Sequence, residues 1–157
     1  MFFRQLVSPA SMSLAYVLAD AGAAEAVVID ATTDDHAVVL ALLDERRMRL
    51  RWVLRTHSHD GVDDGAAALG LRTGATLAGG SSRLRPLTDG ETLAFGAELL
   101  RVITVPGHTA DSVAFLWRDR LFCGDTIDPG GGNRAHTTHV DPGRLYDSVT
   151  GKLFVLP

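Results

Sequence analysis

Two histidines separated by one residue are the feature of this chain best suited to chemistry. The segment Thr56-His57-Ser58-His59 comes directly after residues 51–55, an apolar run that predicts a strand. Because successive strand side chains point to opposite faces, residues two apart point the same way. The two imidazoles therefore converge on one point, which is what chelation of a single metal ion requires. The alternative is a pair of exposed loop histidines.

Two later strand ends carry further side chains that can bind metal. His108 follows the strand-like residues 99–105, and Asp125 follows residues 120–123. Pro106, Gly107 and Gly124 turn the chain at these points. Three strand ends with imidazole and carboxylate groups predict a metal site at one rim of a sheet. Spacing alone does not choose the metal, since these ligands suit both iron and zinc.

The elements that must position these side chains follow from apolar runs and turn residues. A helix begins at Asp34 and Asp35, whose charges suit the helix dipole, and ends near Arg46. A second, Ala-rich helix is predicted over residues 62–69, and hairpin turns over residues 21–24 and 118–120. Predicted strands cover residues 14–20, 26–30, 52–56, 75–78, 92–95, 99–105, 113–117 and 121–123.

Composition and charge narrow the class of protein. The chain has 157 residues, 46% of them hydrophobic, which is enough for the core of one soluble domain. A formal net charge of −4 argues against nucleic acid or an anionic membrane as partner. No stretch approaches the roughly twenty apolar residues that a membrane helix needs. Cys123 is the only cysteine, so we expect a small buried side chain and a reducing, cytoplasmic location.

The order of these motifs resembles the metallo-β-lactamase superfamily, whose metal ligands lie on H-x-H-x-D-H, a later His and a bridging Asp. The resemblance is sharper to its persulfide dioxygenases and covers essentially the whole chain. Glyoxalase II thioester hydrolases share the fold and most of the ligand set. The matching segments are Phe3-Arg4-Gln5-Leu6, residues 13–20 and 25–30, Pro106-Gly107-His108-Thr109, Gly124-Asp125-Thr126, Arg134, residues 144–149 and residues 152–157.

The resemblance implies an α/β (α+β) fold, the metallo-β-lactamase αβ/βα sandwich with two sheets between helices. It implies a single domain over residues 1–157 that is incomplete at its C-terminal end, because the family continues beyond Pro157 with a strand and a helical segment. An uncovered sheet edge and apolar face favour self-association. We therefore expect a homo-oligomer or a completing partner.

The same resemblance implies roles for single residues. His57, His108 and Asp125 would be the catalytic iron ligands, a two-histidine, one-carboxylate face that leaves positions open for substrate and oxygen. His59 would be a fourth ligand or stand beside the metal. Arg134 would pair with a carboxylate of a glutathione-like substrate or hold Asp125, the alternative being a surface arginine.

Two positions depart from the family pattern. Gly61 and Val62 stand where the family has Asp and His, and neither side chain can bind metal. The sequence therefore predicts one metal, Fe²⁺ with Zn²⁺ as the alternative. The implied function is oxidation of glutathione persulfide with O₂ to sulfite and glutathione. The alternatives are a mononuclear zinc hydrolase of thioesters and a non-catalytic remnant or binding module.

The remaining motifs and polar residues are not expected to bind metal. The Gly-rich residues 129–134 lack the pattern of a phosphate loop and are expected to turn the backbone and aim Arg134 inward. His136 and His139 are expected as solvated loop residues, and His36 as a surface residue on the first helix. The remaining acidic residues near the histidine pair are expected to form a solvated turn: Asp60, Asp63 and Asp64.

Overall fold

The structure, a computed structural model, describes residues 1–8, 13–59, 65–80, 84–127 and 140–157. These residues form two compact units. The first unit comprises the described residues of Met1–Arg55, Val62–Ala78 and Ala94–Leu99. The second unit comprises those of Thr56–Gly61, Gly79–Leu93 and Leu100–Pro157. The single domain predicted over residues 1–157 stays a prediction.

The described residues form nine strands, three α-helices and three shorter helical pieces. The strands are β1 (Phe2–Val7), β2 (Leu14–Asp20), β3 (Glu25–Ile29), β4 (Arg49–Arg55), β5 (Thr76–Gly79), β6 (Thr92–Phe95), β7 (Glu98–Thr104), β8 (Val113–Trp117) and β9 (Arg120–Phe122). The α-helices are α1 (His36–Glu45), α2 (Ala66–Thr73) and α3 (Pro142–Ser148). Shorter pieces are the 3₁₀ turns Thr33–Asp35 and Gly124–Thr126 and the π-helical segment Val149–Leu153. In the described part of the chain, no helix has the length and apolar character to cross a membrane.

The first sheet has the strand order β1-β2-β3-β4-β5. β1, β2 and β3 pair antiparallel, whereas β3 and β4 pair parallel with α1 as the connection between them. The β-branched run of β3 is buried from Ala26 to Ile29, as expected of an interior strand covered on both faces. Val17, Val28, Val39 and Val53 belong to the apolar core of this unit.

The start of α1 departs from the sequence prediction in one respect. The acidic residues form a 3₁₀ turn in which the Asp35 carboxylate accepts hydrogen bonds from the N–H and hydroxyl of Thr32, at 2.8 and 2.9 Å. The α-helix itself begins at His36, whose exposed fraction is 6%. The prediction of His36 as a surface residue was wrong, because this turn directs the first helical side chain inward, where its Nε2 approaches Gly65.

The second helix overlaps its predicted range, residues 62–69, and continues beyond it. α2 spans Ala66–Thr73, and residues 62–64 of the prediction lie outside the described residues. Gly65 precedes it with φ +70° and Gly74 ends it with φ +71°, both in the left-handed region that favours glycine. The Gly74 N–H donates to the Gly70 carbonyl and closes the last turn. The apolar spacing identified the helix, whereas these two glycines set its bounds.

The second sheet has the strand order β6-β7-β8-β9. β8 pairs antiparallel with both β7 and β9. β7 and β9 therefore run in the same direction, and both end at the edge of the sheet where β8 begins. Ile103, Val105, Ala114 and Leu153 form an apolar core of this unit, and Cys123, half-buried rather than fully buried as predicted, packs against it.

The predicted strands are confirmed to within a few residues, and so are the two hairpin turns. Among the described strands and α-helices, β1 and α3 were not predicted. β1 is an edge strand in the described sheet and has no fully buried side chain, so it lacks the alternation of a half-buried strand. α3 buries only Ser148, so it lacks an apolar stripe.

Candidate metal centre

The histidines and the aspartate lie on turns at one edge of the second sheet. His108 follows β7, and Asp125 follows β9, whose ends share that edge. The N–H of Val113, the first residue of β8, donates to the carbonyl of Thr56 at 2.8 Å. This backbone bond brings the turn that carries His57 to the same edge. The rim expected from the strand-end positions is therefore present within the second unit.

The four candidate ligands converge on one point. One ligand atom from each of His57, His59, His108 and Asp125 lies within 4.8 Å of every other, and we refer to these residues as the ligand group. The Nε2 atoms of His57 and His108 each lie 3.7 Å from the same oxygen, Oδ2 of Asp125. The Nε2 atom of His59 lies 3.2 Å from that of His108. The three rings are nearly perpendicular to one another, with interplanar angles of 75°, 88° and 81°.

The two nitrogen–oxygen separations are too long for hydrogen bonds, whereas the Nε2 atoms of His59 and His108 lie within hydrogen-bond distance. A distance of 3.7 Å between nitrogen and oxygen exceeds that of a normal hydrogen bond. Two ligand atoms each about 2.1 Å from one ion stand roughly 3.0–3.6 Å apart at angles of about 90–120°, close to the 3.2 and 3.7 Å found here. Imidazole nitrogens and one carboxylate are also a ligand set that both Fe²⁺ and Zn²⁺ accept. The residues present therefore fit a single divalent metal.

The ligand group is buried on the histidine side and open on the carboxylate side. The side chains of His57 and His108 are 15% and 7% exposed, whereas that of Asp125 is 61% exposed. Among the described residues, a small molecule can therefore approach the group past Asp125. A buried face of ligands with one accessible side is the arrangement of a reactive rather than a closed structural metal site.

α3 and the residue before it hold the turn that precedes His108. The hydroxyl of Ser148 donates to the carbonyl of Pro106 at 2.7 Å, and the N–H of Asp141 donates to the carbonyl of Gly107 at 2.8 Å. Gly107 has φ +145°, and a Cβ there would stand 2.4 Å from backbone atoms of Leu145. Only glycine allows this close approach. α3 therefore fixes the backbone from which the histidine projects.

Two buried hydroxyl groups, of Thr109 and Ser112, hold the turn that follows His108. The Oγ atoms of Thr109 and Ser112 lie 2.7 Å apart, and the Thr109 N–H donates to Ser112 Oγ at 3.1 Å. The exposed fractions of these residues are 8% and 2%. The roles of Ser112 and Ser148 were not predicted, because a hydroxyl that supports a neighbouring turn leaves no spacing pattern in the sequence.

Several residues singled out by the sequence lie outside the described residues. Arg134, the candidate substrate-binding residue, is one of them, so its role stays a prediction. The others are Asp60, Gly61, Val62, Asp63, Asp64, the Gly-rich residues 129–133, His136 and His139.

Comparisons with known proteins show that the chain is similar to two kinds of enzyme. It is 39% identical over 145 residues to a hydroxyacylglutathione hydrolase of Anaeromyxobacter dehalogenans, covering 88% of this chain and 54% of that protein. It is 30% identical over 161 residues to the mitochondrial persulfide dioxygenase ETHE1 of Homo sapiens, covering 98% of this chain and 63% of that protein. No family model matches the chain.

A solved structure resembles the whole chain. The crystal structure of ETHE1 from Myxococcus xanthus has a TM-score of 0.92 and 34% sequence identity to it. The match covers 100% of this chain and 72% of that one. The chain spans 54% of the length of the hydroxyacylglutathione hydrolase and 63% of the length of the human persulfide dioxygenase.

Proposed function

The chain belongs to the metallo-β-lactamase superfamily, and on that premise we propose that it is a mononuclear iron persulfide dioxygenase acting on glutathione persulfide. The metallo-β-lactamase fold predicted from the sequence is confirmed, with two sheets and three α-helices in the described residues. The chain is homologous both to persulfide dioxygenase and to hydroxyacylglutathione hydrolase. The choice of the dioxygenase, of iron and of the substrate is the proposal.

One observation carries the proposal: two imidazole Nε2 atoms, of His57 and His108, face one carboxylate oxygen of Asp125 at equal distances of 3.7 Å. Two histidines and one carboxylate on one face of a metal form the ligand set of mononuclear iron enzymes that use O₂. His59 lies against His108 and would serve as a fourth ligand or as a neighbour of the metal. Fe²⁺ held there would supply the electron transfer that activates O₂.

The protein's own part in the reaction is to bind and orient the substrate. The accessible side of the ligand group, beside Asp125, would receive the persulfide sulfur. Arg134 would pair with a glutathione carboxylate and so fix the tripeptide relative to that sulfur. In the overall reaction, glutathione persulfide, O₂ and water give glutathione, sulfite and protons. The terminal sulfur is oxidised, O₂ is reduced, and the bond between the two sulfur atoms breaks.

The sequence supports one metal rather than two. Gly61 and Val62 stand at the positions where the superfamily motif supplies an aspartate and a histidine, and neither has a side-chain ligand atom. A thioester hydrolase of this superfamily relies on a metal-bound hydroxide, and the missing aspartate belongs to the apparatus that positions it. The dioxygenase chemistry does not depend on that second site.

The second candidate function is a mononuclear zinc hydrolase of thioesters. The 39% identity to a hydroxyacylglutathione hydrolase favours it. In that case the same residues, His57, His108 and Asp125, would hold Zn²⁺ and lower the pKa of its bound water. Both functions share a glutathione-linked substrate, so the choice between them lies in the metal and in the reaction.

The test compares both reactions in both metal forms. Protein purified without oxygen is loaded with Fe²⁺ or Zn²⁺, and O₂ uptake with glutathione persulfide is measured beside hydrolysis of S-lactoylglutathione. We expect the Fe²⁺ form to consume O₂ and produce sulfite, with little thioester hydrolysis by either form. Asp125→Asn should lose the O₂ uptake, whereas Asp119→Asn, at an exposed carboxylate outside the ligand group, should keep it.

Two other results would change the assignment. Strong thioester hydrolysis by the Zn²⁺ form without O₂ uptake by the Fe²⁺ form would move it to the hydrolase. Metal binding with neither reaction would favour a non-catalytic remnant or binding module.

The predicted homo-oligomer or completing partner stays a proposal. Large apolar side chains are exposed near the end of the described chain, with exposed fractions of 68% for Tyr146, 71% for Phe154 and 68% for Val155. Apolar surface of this kind favours association. Sedimentation at several protein concentrations decides this point. A reducing, cytoplasmic location likewise stays a prediction from the single cysteine.

A further inference from the structure

The residue directly before the histidine pair is a buried threonine whose hydroxyl faces the first histidine. Thr56 is 1% exposed, and its Oγ1 lies 3.1 Å from Nδ1 of His57. The other ring nitrogen of His57, Nε2, is the atom that faces Asp125 Oδ2. The hydroxyl and the carboxylate therefore lie at opposite nitrogens of one imidazole ring.

This arrangement determines which nitrogen of the ring can bind a metal. A neutral imidazole carries one proton, and only the other nitrogen has a free lone pair for coordination. If Nδ1 carries the proton and donates it to Thr56 Oγ1, then Nε2 keeps its lone pair toward Asp125. We propose that Thr56 is a positioning residue that holds His57 in this tautomer and orientation. The inference rests on the proposed metal site, but on neither the identity of the metal nor the substrate.

A glycine on the turn that carries Asp125 makes room for this hydroxyl. Gly124 precedes Asp125 and has φ +51°, and a Cβ there would stand 2.2 Å from Thr56 Oγ1 and 2.8 Å from Thr56 Cβ. The same Cβ would stand 3.1 Å from Nδ1 of His57. The turns of His57 and Asp125 therefore meet at the Thr56 hydroxyl, and their relative position depends on the absence of a side chain at Gly124.

The backbone of Thr56 is fixed independently of its hydroxyl. Its carbonyl accepts the Val113 N–H at 2.8 Å, and a Cβ on Gly80 would stand 2.3 Å from that carbonyl oxygen. Removing the hydroxyl leaves both features in place. A substitution that keeps the shape of the side chain can therefore separate the effect on the histidine ring from an effect on the fold.

The experiment compares Thr56→Val, which keeps the shape, with Thr56→Ser, which keeps the hydroxyl. Zn²⁺ affinity is measured by competition with a chromophoric chelator, and the protonated ring nitrogen of His57 is identified by ¹⁵N NMR in the metal-free protein. Thr56→Val should bind Zn²⁺ roughly 10–100-fold more weakly. It should also lose the pure Nδ1–H form of His57. Thr56→Ser should match the wild type in both measurements.

A second pair of variants tests the glycine. Gly124→Ala and Gly90→Ala both place a side chain at positive φ, +51° and +77°, but the Cβ at Gly90 has no atom within 4 Å. Both variants therefore carry the strain of the left-handed region, and only Gly124→Ala collides with Thr56. We expect weaker Zn²⁺ binding for Gly124→Ala and wild-type binding for Gly90→Ala.

The outcomes separate this inference from the proposed function. Wild-type Zn²⁺ affinity and an unchanged His57 tautomer in Thr56→Val would overturn the role of Thr56. Zn²⁺ binding that depends on Thr56, in a protein that shows no O₂ uptake with Fe²⁺, would support this role while overturning the dioxygenase. A wild type that binds neither Zn²⁺ nor Fe²⁺ would overturn both.

Discussion

Two groups of polar side chains in the second unit differ in what surrounds their carboxylates. The Asp89 group consists of Asp89, Thr104 and Lys152. Asp89 Oδ1 accepts hydrogen bonds from the N–H and hydroxyl of Thr104, at 2.7 and 3.0 Å, and lies 3.4 Å from the ammonium of Lys152. In the ligand group, Asp125 Oδ2 instead faces two imidazole nitrogens at 3.7 Å.

The difference shows which carboxylate the chain itself neutralises. The Thr104 N–H holds the pKa of Asp89 below its ordinary value of 3.8, and the Thr104 hydroxyl and the Lys152 ammonium act in the same direction against partial desolvation. The Asp89 group thus contains its own cation. The ligand group brings three imidazoles and a carboxylate to one point at distances that suit a metal ion. The first group is neutralised by its own partners, and the second has the geometry of a candidate metal site.

Removing a ligand tests this comparison with the largest expected effect. His108→Ala and Asp125→Ala should each lower metal affinity by more than about 100-fold, because losing a direct ligand costs more than losing a residue that supports one. Metal content per chain and chelator competition measure this. The wild type should hold one metal, and His36→Gln, at a buried histidine outside the ligand group, should bind as the wild type does. Two tightly bound metals per chain would contradict the mononuclear site.

Replacing His59 should lower metal affinity less than replacing His108 or Asp125. His59→Ala should weaken metal binding by about tenfold, because a neighbour or fourth ligand adds to a site that three other residues define. The same competition assay measures this, beside His57→Ala as the reference for a full ligand. Equal losses of metal affinity in the two variants would mean that His59 binds the metal as directly as His57 does.

The Asp89 group should respond in stability rather than in metal binding. Asp89→Asn should lower the free energy of unfolding by about 1 kcal/mol, because it weakens charge-assisted hydrogen bonds whose strength is reduced by solvent exposure. Urea unfolding measures the change, with Asp119→Asn as the exposed control. A loss of metal affinity in Asp89→Asn would show that the two groups are not independent.

The smallest expected effect is a dependence of stability on pH. Because folding lowers the pKa of Asp89, its contribution to stability is complete above the ordinary pKa of 3.8 and is lost as the pH falls through the lower folded value. The difference in unfolding free energy between wild type and Asp89→Asn should therefore be constant near neutral pH and shrink below about pH 4. Unfolding curves measured across this range test the prediction. A difference that persists in acid would mean that the charge of Asp89 does not contribute.

Much of the fold could be predicted from local signals. The apolar runs of β3 and β8 lie in the interior of the protein, and their composition predicts this burial. β1 and α3 escaped prediction because they bury little apolar surface of their own. His36 was wrongly assigned to the surface because the acidic turn before it sets the direction of the first helical side chain.

For the site, the sequence by itself determined the ligand types and their strand-end positions. His57, His108 and Asp125 each follow a recognisable strand, and glycine or proline marks two of the three turns. It also determined that Gly61 and Val62 offer no ligand atoms. These features depend only on residue identity and on the period of a strand, so they can be read without a structure.

Only the tertiary structure decided how the ligands are held. The pairing of β8 with β7 and β9 places His108 and Asp125 at one edge, and the bond from Val113 to Thr56 brings the first histidine there. The contact of Gly124 with Thr56 joins segments 68 positions apart in the chain. Such contacts depend on strand order and on the close approach of distant backbones, and neither leaves a periodic pattern in the sequence.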